Sequence, residues 1–130
     1  MSNDGRVIDP EGMYRTPSYV QAMRAGDFLF IAGQIGKDAE GNLAGPDAAS
    51  QAHLALDNLK TVLAAAGGTL RDVVKLTTIL VDRADGPTIS AIRRETFGDH
   101  RPPHTGLIIA GLGTAEAKVE FEAVAYLPQR

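Results

Sequence analysis

The C-terminal third of the chain holds the feature that most restricts its fold, a proline pair followed by two apolar runs. Pro102 and Pro103 fix the backbone φ angle and exclude a helix immediately before His104. The runs 104–110 and 118–127 are apolar with strand character, and a glycine-containing turn joins them. The sequence therefore predicts that the chain ends in two consecutive strands.

Upstream, the hydrophobic pattern alternates between strand and helix periodicities. Apolar residues recur at three- and four-residue steps between 46 and 66, which indicates a helix with one apolar face. Gly67 and Gly68 follow as its C-terminal stop. The predicted elements are strands at 19–23, 28–32, 73–81, 104–110 and 118–127, helices at about 46–66 and 87–97, and a short capped turn at 69–72.

The order β-β-α-β-α-β-β predicts an α+β fold with one mixed sheet and both helices on one face. In the last strand Glu120 and Glu122 alternate with apolar residues, so the two carboxylates share a face. The strand 73–81 offers apolar groups on both faces, Val74, Leu76 and Leu80 against Val73, Ile79 and Val81. Because two helices can cover only one face of a sheet, the second apolar face is expected to meet another subunit.

The composition limits the class of protein. With 44% hydrophobic and 22% charged residues, the 130 residues are expected to form one globular domain, 1–130. No apolar run approaches the roughly 20 residues that cross a bilayer, and the polar start 1–6 lacks the apolar segment of a secretory signal. We therefore expect a cytoplasmic protein with no membrane partner. The absence of cysteine excludes disulfides, thiolate nucleophiles and cysteine-based zinc sites.

The charge argues against nucleic acid as a partner. The formal net charge is −3, whereas nucleic-acid binding normally needs a basic surface, and aromatic residues for base stacking are few. His100 and His104 stand four residues apart, as metal ligands on a helix would, but Pro102 and Pro103 prevent that helix. No metal and no cofactor are therefore expected.

Two segments carry a family resemblance, Pro102-Pro103-His104-Thr105 and Val119-Glu120-Phe121-Glu122-Ala123-Val124-Ala125. They resemble the signature of the Rid family, the reactive-intermediate deaminases of YjgF type, which reads roughly Pro-x-Arg-Ser/Thr and then Val-Glu-Ile-Glu-Ala-Ile-Ala. The resemblance covers nearly the whole chain. It implies a chorismate-mutase-like fold, a homotrimer with three clefts between neighbouring subunits, and a small-molecule substrate or ligand, with a carboxylate as one candidate.

The resemblance also implies a set of site residues. In the family an arginine binds the substrate carboxylate with two hydrogen bonds, and a glutamate orients the water that adds to the imine carbon. Carried onto matching positions, this assigns catalytic roles to Glu120 and His104. Substrate contacts are implied at Tyr19, at Gly33, at Ser90, which stands where several members have asparagine, and at Thr105.

His104 departs from the family pattern, because the imine-hydrolysing members carry arginine there. A neutral imidazole cannot reproduce the planar fork that a guanidinium presents to a carboxylate. Two functions therefore remain open: a hydrolytic deaminase of a small enamine or imine with altered specificity, and a non-catalytic or weakly catalytic trimer that binds a metabolite. The endoribonuclease role also attached to this family is disfavoured by the acidic composition.

The residues alone also permit structural interpretations. Tyr19 could be a half-buried strand aromatic, Gly33 a strand-end turn glycine, and Glu120 a solvated carboxylate. His104 could simply pack at the start of a strand. Several charged residues near the second helix are expected to be mainly solvated, namely Arg93, Arg94, Glu95 and Arg101.

Overall fold

The computed structural model describes residues 5–128 and contains one six-stranded mixed sheet with two α-helices. Residues 1–4, on which the expectation of a signal-free start partly rests, lie outside the described residues. The elements are β1 (Val7–Ile8), β2 (Ala22–Ala25), β3 (Phe28–Gln34), α1 (Ala48–Ala65), β4 (Val73–Leu80), α2 (Gly86–Phe97), β5 (His104–Ile108) and β6 (Val119–Tyr126). Strands β4 and β5 pair in parallel and the other neighbours antiparallel, in the order β1-β2-β3-β6-β4-β5. The predicted fold class is confirmed.

Local interactions account for the start of both helices and for the end of α1. Asp47 caps α1 by accepting a hydrogen bond from the Ser50 backbone N–H at 2.8 Å, and Gly67, with a φ of 87°, follows its last turn. Pro87 lies in the first turn of α2, where its missing N–H costs nothing. Within residues 5–128, neither helix combines the length and apolar character needed to span a membrane.

The core lies between the helices and one face of the sheet. On β6, buried Val119, Phe121, Ala123 and Ala125 alternate with less buried residues, as predicted. The opposite face, which the helices leave uncovered, exposes large apolar side chains, including Met23, Phe28, Phe30 and Tyr126. The prediction of a second apolar face is confirmed, and its burial by another subunit stays a prediction.

The structure corrects the prediction for β4. Val74 was expected on the same face as Leu76, but Val73 is the buried residue, at 0% exposure, and Val74 is 40% exposed. The cause is an irregularity in pairing with β6, where Val73 lies opposite Ala125 and Lys75 opposite Val124. Two residue steps on β4 thus match one on β6, which reverses the side-chain alternation at this end.

The prediction for the first strands is also corrected. The run 19–23 becomes a strand only from Ala22, and Tyr19 lies before it, bridged to Thr16 and 53% exposed. Tyr19 is therefore not a half-buried strand aromatic. The two-residue strand β1 was not predicted, because it is too short to show a hydrophobic period.

Candidate functional site

Three of the residues proposed from the sequence line one cavity of about 320 Å³, which we call the Glu120 cavity. Tyr19 lies before β2, Gly33 near the end of β3, and Glu120 at the start of β6. The pairing of β3 with β6 brings the last two together, although they are 87 positions apart in the chain. The other lining residues are Met13, Tyr14, Thr16, Gln21, Gln34, Ile35, Lys37, Asn58, Leu112, Gly113 and Thr114.

Glu120 is half-buried in this cavity. Its backbone lies between buried Val119 and Phe121, so its side chain is on the sheet face away from the helices. Burial, and to a smaller extent the nearby Glu122 carboxylate, raises the pKa of Glu120. Among residues 5–128, no side chain forms an ion pair or hydrogen bond with the Glu120 carboxylate. A partly desolvated carboxylate of this kind is poised to accept a proton.

Gly33 makes room for that carboxylate. A Cβ atom at position 33 would lie 2.7 Å from both Oε1 and Oε2 of Glu120. Atoms this close overlap, so any side chain at position 33 would displace the carboxylate. The glycine is required by the close approach of Glu120, which the sequence alone did not show.

Lys37 is a cation of the Glu120 cavity that sequence reasoning missed. Its Nζ lies 4.1 Å from the centre of the Tyr14 ring and 3.4 Å from Thr114 Oγ1. Asn58 on α1 holds the segment in place, since its Nδ2 donates to the carbonyl oxygens of Ile35 at 3.1 Å and Lys37 at 2.9 Å. The sequence offered no signal for Lys37, which lies between the predicted strand 28–32 and the predicted helix 46–66.

A second cavity, of about 240 Å³, lies between α2 and the edge strand β5; we call it the His104 cavity. His104 lies opposite buried Leu76 in the register of β4 and β5, so its side chain is on the helix face of the sheet. His104 Nε2 is 2.8 Å from Thr78 Oγ1. Burial first, and then the charges of Arg93 and Lys75, lower the pKa of His104, which favours neutral imidazole.

Ser90 lines the His104 cavity, and Thr105 does not. Thr105, one residue after His104, is on the other face of β5, where its Oγ1 accepts a hydrogen bond from Lys75 Nζ at 2.6 Å. Within one chain the proposed site residues therefore form separate groups. The Glu120 cavity has Tyr19, Gly33 and Glu120, the His104 cavity has Ser90 and His104, and Thr105 stands apart.

The expectation that Arg93 is mainly solvated is wrong. Arg93 is half-buried and lines the His104 cavity, whereas Arg94 and Arg101 are exposed as expected. The three-residue spacing from Ser90 on α2 was the signal in the sequence, because residues three apart share a helix face. Among residues 5–128, no three His, Asp or Glu side chains are grouped in a way that could hold a metal ion.

Comparison with known proteins matches this chain to one family over most of its length. The family described as endoribonuclease L-PSP matches residues 13–127. A RutC family protein of Pyrococcus horikoshii is 38% identical over 109 residues, covering 83% of this chain and 86% of the relative. The human 2-iminobutanoate/2-iminopropanoate deaminase is 35% identical over 108 residues, covering 82% and 78%. The solved structure of the Escherichia coli YjgF gene product has a TM-score of 0.86 at 31% identity, covering 94% of this chain and 98% of that one.

Proposed function

The chain belongs to the Rid/YjgF family, whose description is endoribonuclease L-PSP, and from this premise we propose that it is a hydrolytic deaminase of small enamine or imine metabolites. Relatives between 32% and 35% identical are named as reactive-intermediate or 2-iminobutanoate/2-iminopropanoate deaminases. The half-buried, unpaired carboxylate of Glu120 beside Gly33 is the observation that carries the proposal. A carboxylate kept partly from water without an ion pair costs stability, which a catalytic role explains.

The proposed reaction consumes one imine and one water and releases one carbonyl compound and ammonia. The water oxygen bonds to the imine carbon while the Glu120 carboxylate accepts one proton from that water. Glu120 passes this proton to the nitrogen, which gives a carbinolamine bearing one hydroxyl and one amino group. The carboxylate then takes the hydroxyl proton and delivers it to the amino group, so that the C–N bond breaks, the C=O bond forms and ammonia leaves. An enamine first takes a proton at carbon to become the imine. The raised pKa of Glu120 suits this exchange, because a base works best when its pKa approaches the working pH.

We propose that the working site forms between copies of the chain, in a homotrimer. Within one chain, Glu120 and His104 are on opposite faces of the sheet, so one ligand cannot contact both. The uncovered sheet face exposes Phe28 and Tyr126, whose ring centres are 5.3 Å apart, together with Phe30. Apolar side chains gathered on one face favour an interface. A neighbouring copy seated there would bring a second set of site residues close to the first.

The histidine at position 104 supports altered substrate preference. Its Nε2 is within hydrogen-bond distance of Thr78 and its lowered pKa keeps the ring neutral near pH 7. Neutral imidazole attracts a carboxylate less than a guanidinium does. The proposed difference from the arginine-bearing family members is therefore one of preference, because position 104 holds a substrate carboxylate less firmly.

Ammonia release tests the proposal. The substrates are a panel of 2-imino acids and neutral enamines, each generated in the assay, and Glu120→Gln provides the matched control because it keeps size and removes the base. We expect the wild-type chain to accelerate release above the variant for at least one substrate. If neither protein exceeds the uncatalysed rate on any substrate, deamination is excluded and the metabolite-binding alternative replaces it. Equal rates above the uncatalysed rate would remove Glu120 from its proposed role.

A further inference from the structure

Arg93 occupies a place that gives it access to a ligand. It lies one helical turn after Ser90 on α2, and both residues line the His104 cavity. Arg93 also lines an adjoining cavity of about 260 Å³ at the end of α2. The two cavities share only Arg93 and His104. Arg93 thus lies where the two cavities adjoin.

The surroundings of Arg93 are positive and lack acidic side chains. No Asp or Glu lines either cavity, and the adjoining cavity carries further basic side chains, Arg94, His100 and Arg101. Glu95, two residues after Arg93 on α2, is exposed and lines neither cavity, and Asp99 forms an ion pair with Arg71 at 2.8 Å. Within residues 5–128, Arg93 itself has no ion pair and no side-chain hydrogen bond.

Arg93 is therefore a partly buried cation that has no anionic partner among the described residues. Burial first, and then the charge of Arg94, lower the pKa of Arg93, while a guanidinium stays protonated in proteins. A half-buried cation gains most from an anion that restores its lost hydrogen bonds. Because the described residues supply no such anion, the guanidinium is available to an anion from outside the chain.

We propose that Arg93, rather than His104, binds the carboxylate of the substrate, with the Ser90 hydroxyl as a neighbouring donor. This inference deepens the proposed function and rests on it. A planar guanidinium can hold both carboxylate oxygens at once, which neutral His104 cannot do. Arg93 is thus a specificity-determining residue that reaches the cavity from the helix, whereas position 104 reaches it from the strand.

Lys37 is the alternative candidate for binding the substrate carboxylate. It is in the Glu120 cavity, where its ammonium is already engaged with the Tyr14 ring and lies 3.4 Å from Thr114 Oγ1. A lysine is also a point charge and lacks the bidentate fork. We therefore assign the carboxylate to Arg93, and Lys37→Gln serves as a test of the alternative.

The experiment compares Arg93→Gln with Arg94→Gln, which removes the same charge from the next residue of the same helix. Binding of 2-oxobutanoate, the hydrolysis product of 2-iminobutanoate, is measured by calorimetry, and 2-oxobutanamide provides the neutral counterpart. We expect Arg93→Gln to weaken 2-oxobutanoate binding roughly tenfold to a hundredfold, the range of a lost charged hydrogen bond. Binding of 2-oxobutanamide should be unchanged, and the exposed Arg94 should matter by less than about twofold.

A rescue variant separates ligand binding from a structural role. His104→Arg combined with Arg93→Gln returns a guanidinium to the same cavity from β5 and should restore 2-oxobutanoate binding, with KM for the imine changing more than kcat. Unchanged binding in Arg93→Gln, equal losses in Arg93→Gln and Arg94→Gln, or a loss only in Lys37→Gln would overturn the assignment. If anion binding depends on Arg93 and no protein releases ammonia, the deaminase proposal fails and the anion site stands.

Discussion

Gly33 lies against the carboxylate of Glu120, so closely that a Cβ atom at position 33 would be 2.7 Å from each of its oxygens. One strand therefore supplies the proposed base, and its neighbour supplies the space that the base occupies. The proposed chemistry at position 120 therefore requires that position 33 has no side chain.

Replacing this glycine should impair activity without unfolding the protein. In Gly33→Ala the methyl group displaces the Glu120 carboxylate, which is the end of a flexible side chain and can rotate away at little cost. We expect ammonia release to fall by about 10²–10⁴-fold, the usual contribution of a positioned base, with a nearly unchanged melting temperature. Gly36→Ala is the contrast, since its methyl would lie 2.6 Å from the backbone Cα of Gln51 and should lower the melting temperature. A fully active Gly33→Ala protein would contradict the proposed position of the base.

Glu120→Gln should stabilise the fold at neutral pH while removing activity. The folded-state pKa of Glu120 is raised, mainly by burial, so the folded chain holds its proton more tightly than the unfolded chain does. The carboxyl group therefore stops contributing stability as pH rises through its folded pKa. The gain from glutamine should be largest at neutral pH and disappear below the ordinary glutamate pKa of about 4.5. Chemical denaturation of both proteins across this range measures it, and a variant less stable than the wild type at neutral pH would refute it.

A charge on the uncovered sheet face should break the assembly. Phe30 is 52% exposed in the single chain, so Phe30→Asp should leave the monomer folded. If the face is buried between copies, the unpaired carboxylate costs several kcal/mol and the trimer dissociates. Light scattering at micromolar concentration measures the mass, with Thr61→Asp on the exposed side of α1 as the control for added charge. A monomeric wild-type chain would rule out the proposed trimer.

His104→Arg should raise the rate on 2-imino acids, and by a larger factor when Arg93 is already replaced by glutamine. In the wild-type chain burial, and then Arg93 and Lys75, lower the pKa of His104 from its ordinary value of 6.5, which favours the neutral ring. Any contribution of His104 to carboxylate binding should therefore grow only as pH falls below about 6.5. The rates of the wild-type and His104→Arg proteins are measured between about pH 5.5 and 8, and the rate of Glu120→Gln is subtracted as background. Arginine stays charged throughout this range, so only the wild-type rate should change with the charge of residue 104. Identical pH profiles would show that position 104 does not contact the carboxylate.

Local patterns were sufficient for most of the fold. The three- and four-residue recurrence between 46 and 66 predicted α1, and the alternation around Glu120 and Glu122 predicted which face of β6 is buried. The predicted capped turn at 69–72 is present, with Thr69 and Asp72 forming a reciprocal capping box. These features depend on contacts between residues a few positions apart, and such contacts can be predicted from local sequence patterns.

Sequence patterns were sufficient for the order of the longer elements and for the buried stripes of α1 and β6, and the family resemblance supplied the candidate residues Tyr19, Gly33 and Glu120. How the strands pair depends on tertiary contacts, and this pairing set which way the side chains face where local patterns did not predict it. An irregular register with β6 reversed Val73 and Val74, and the parallel register with β4 turned His104 toward the helices. Packing of α2 beside β5 half-buried Arg93, because a side chain's exposure depends on segments that are distant in sequence and close in space.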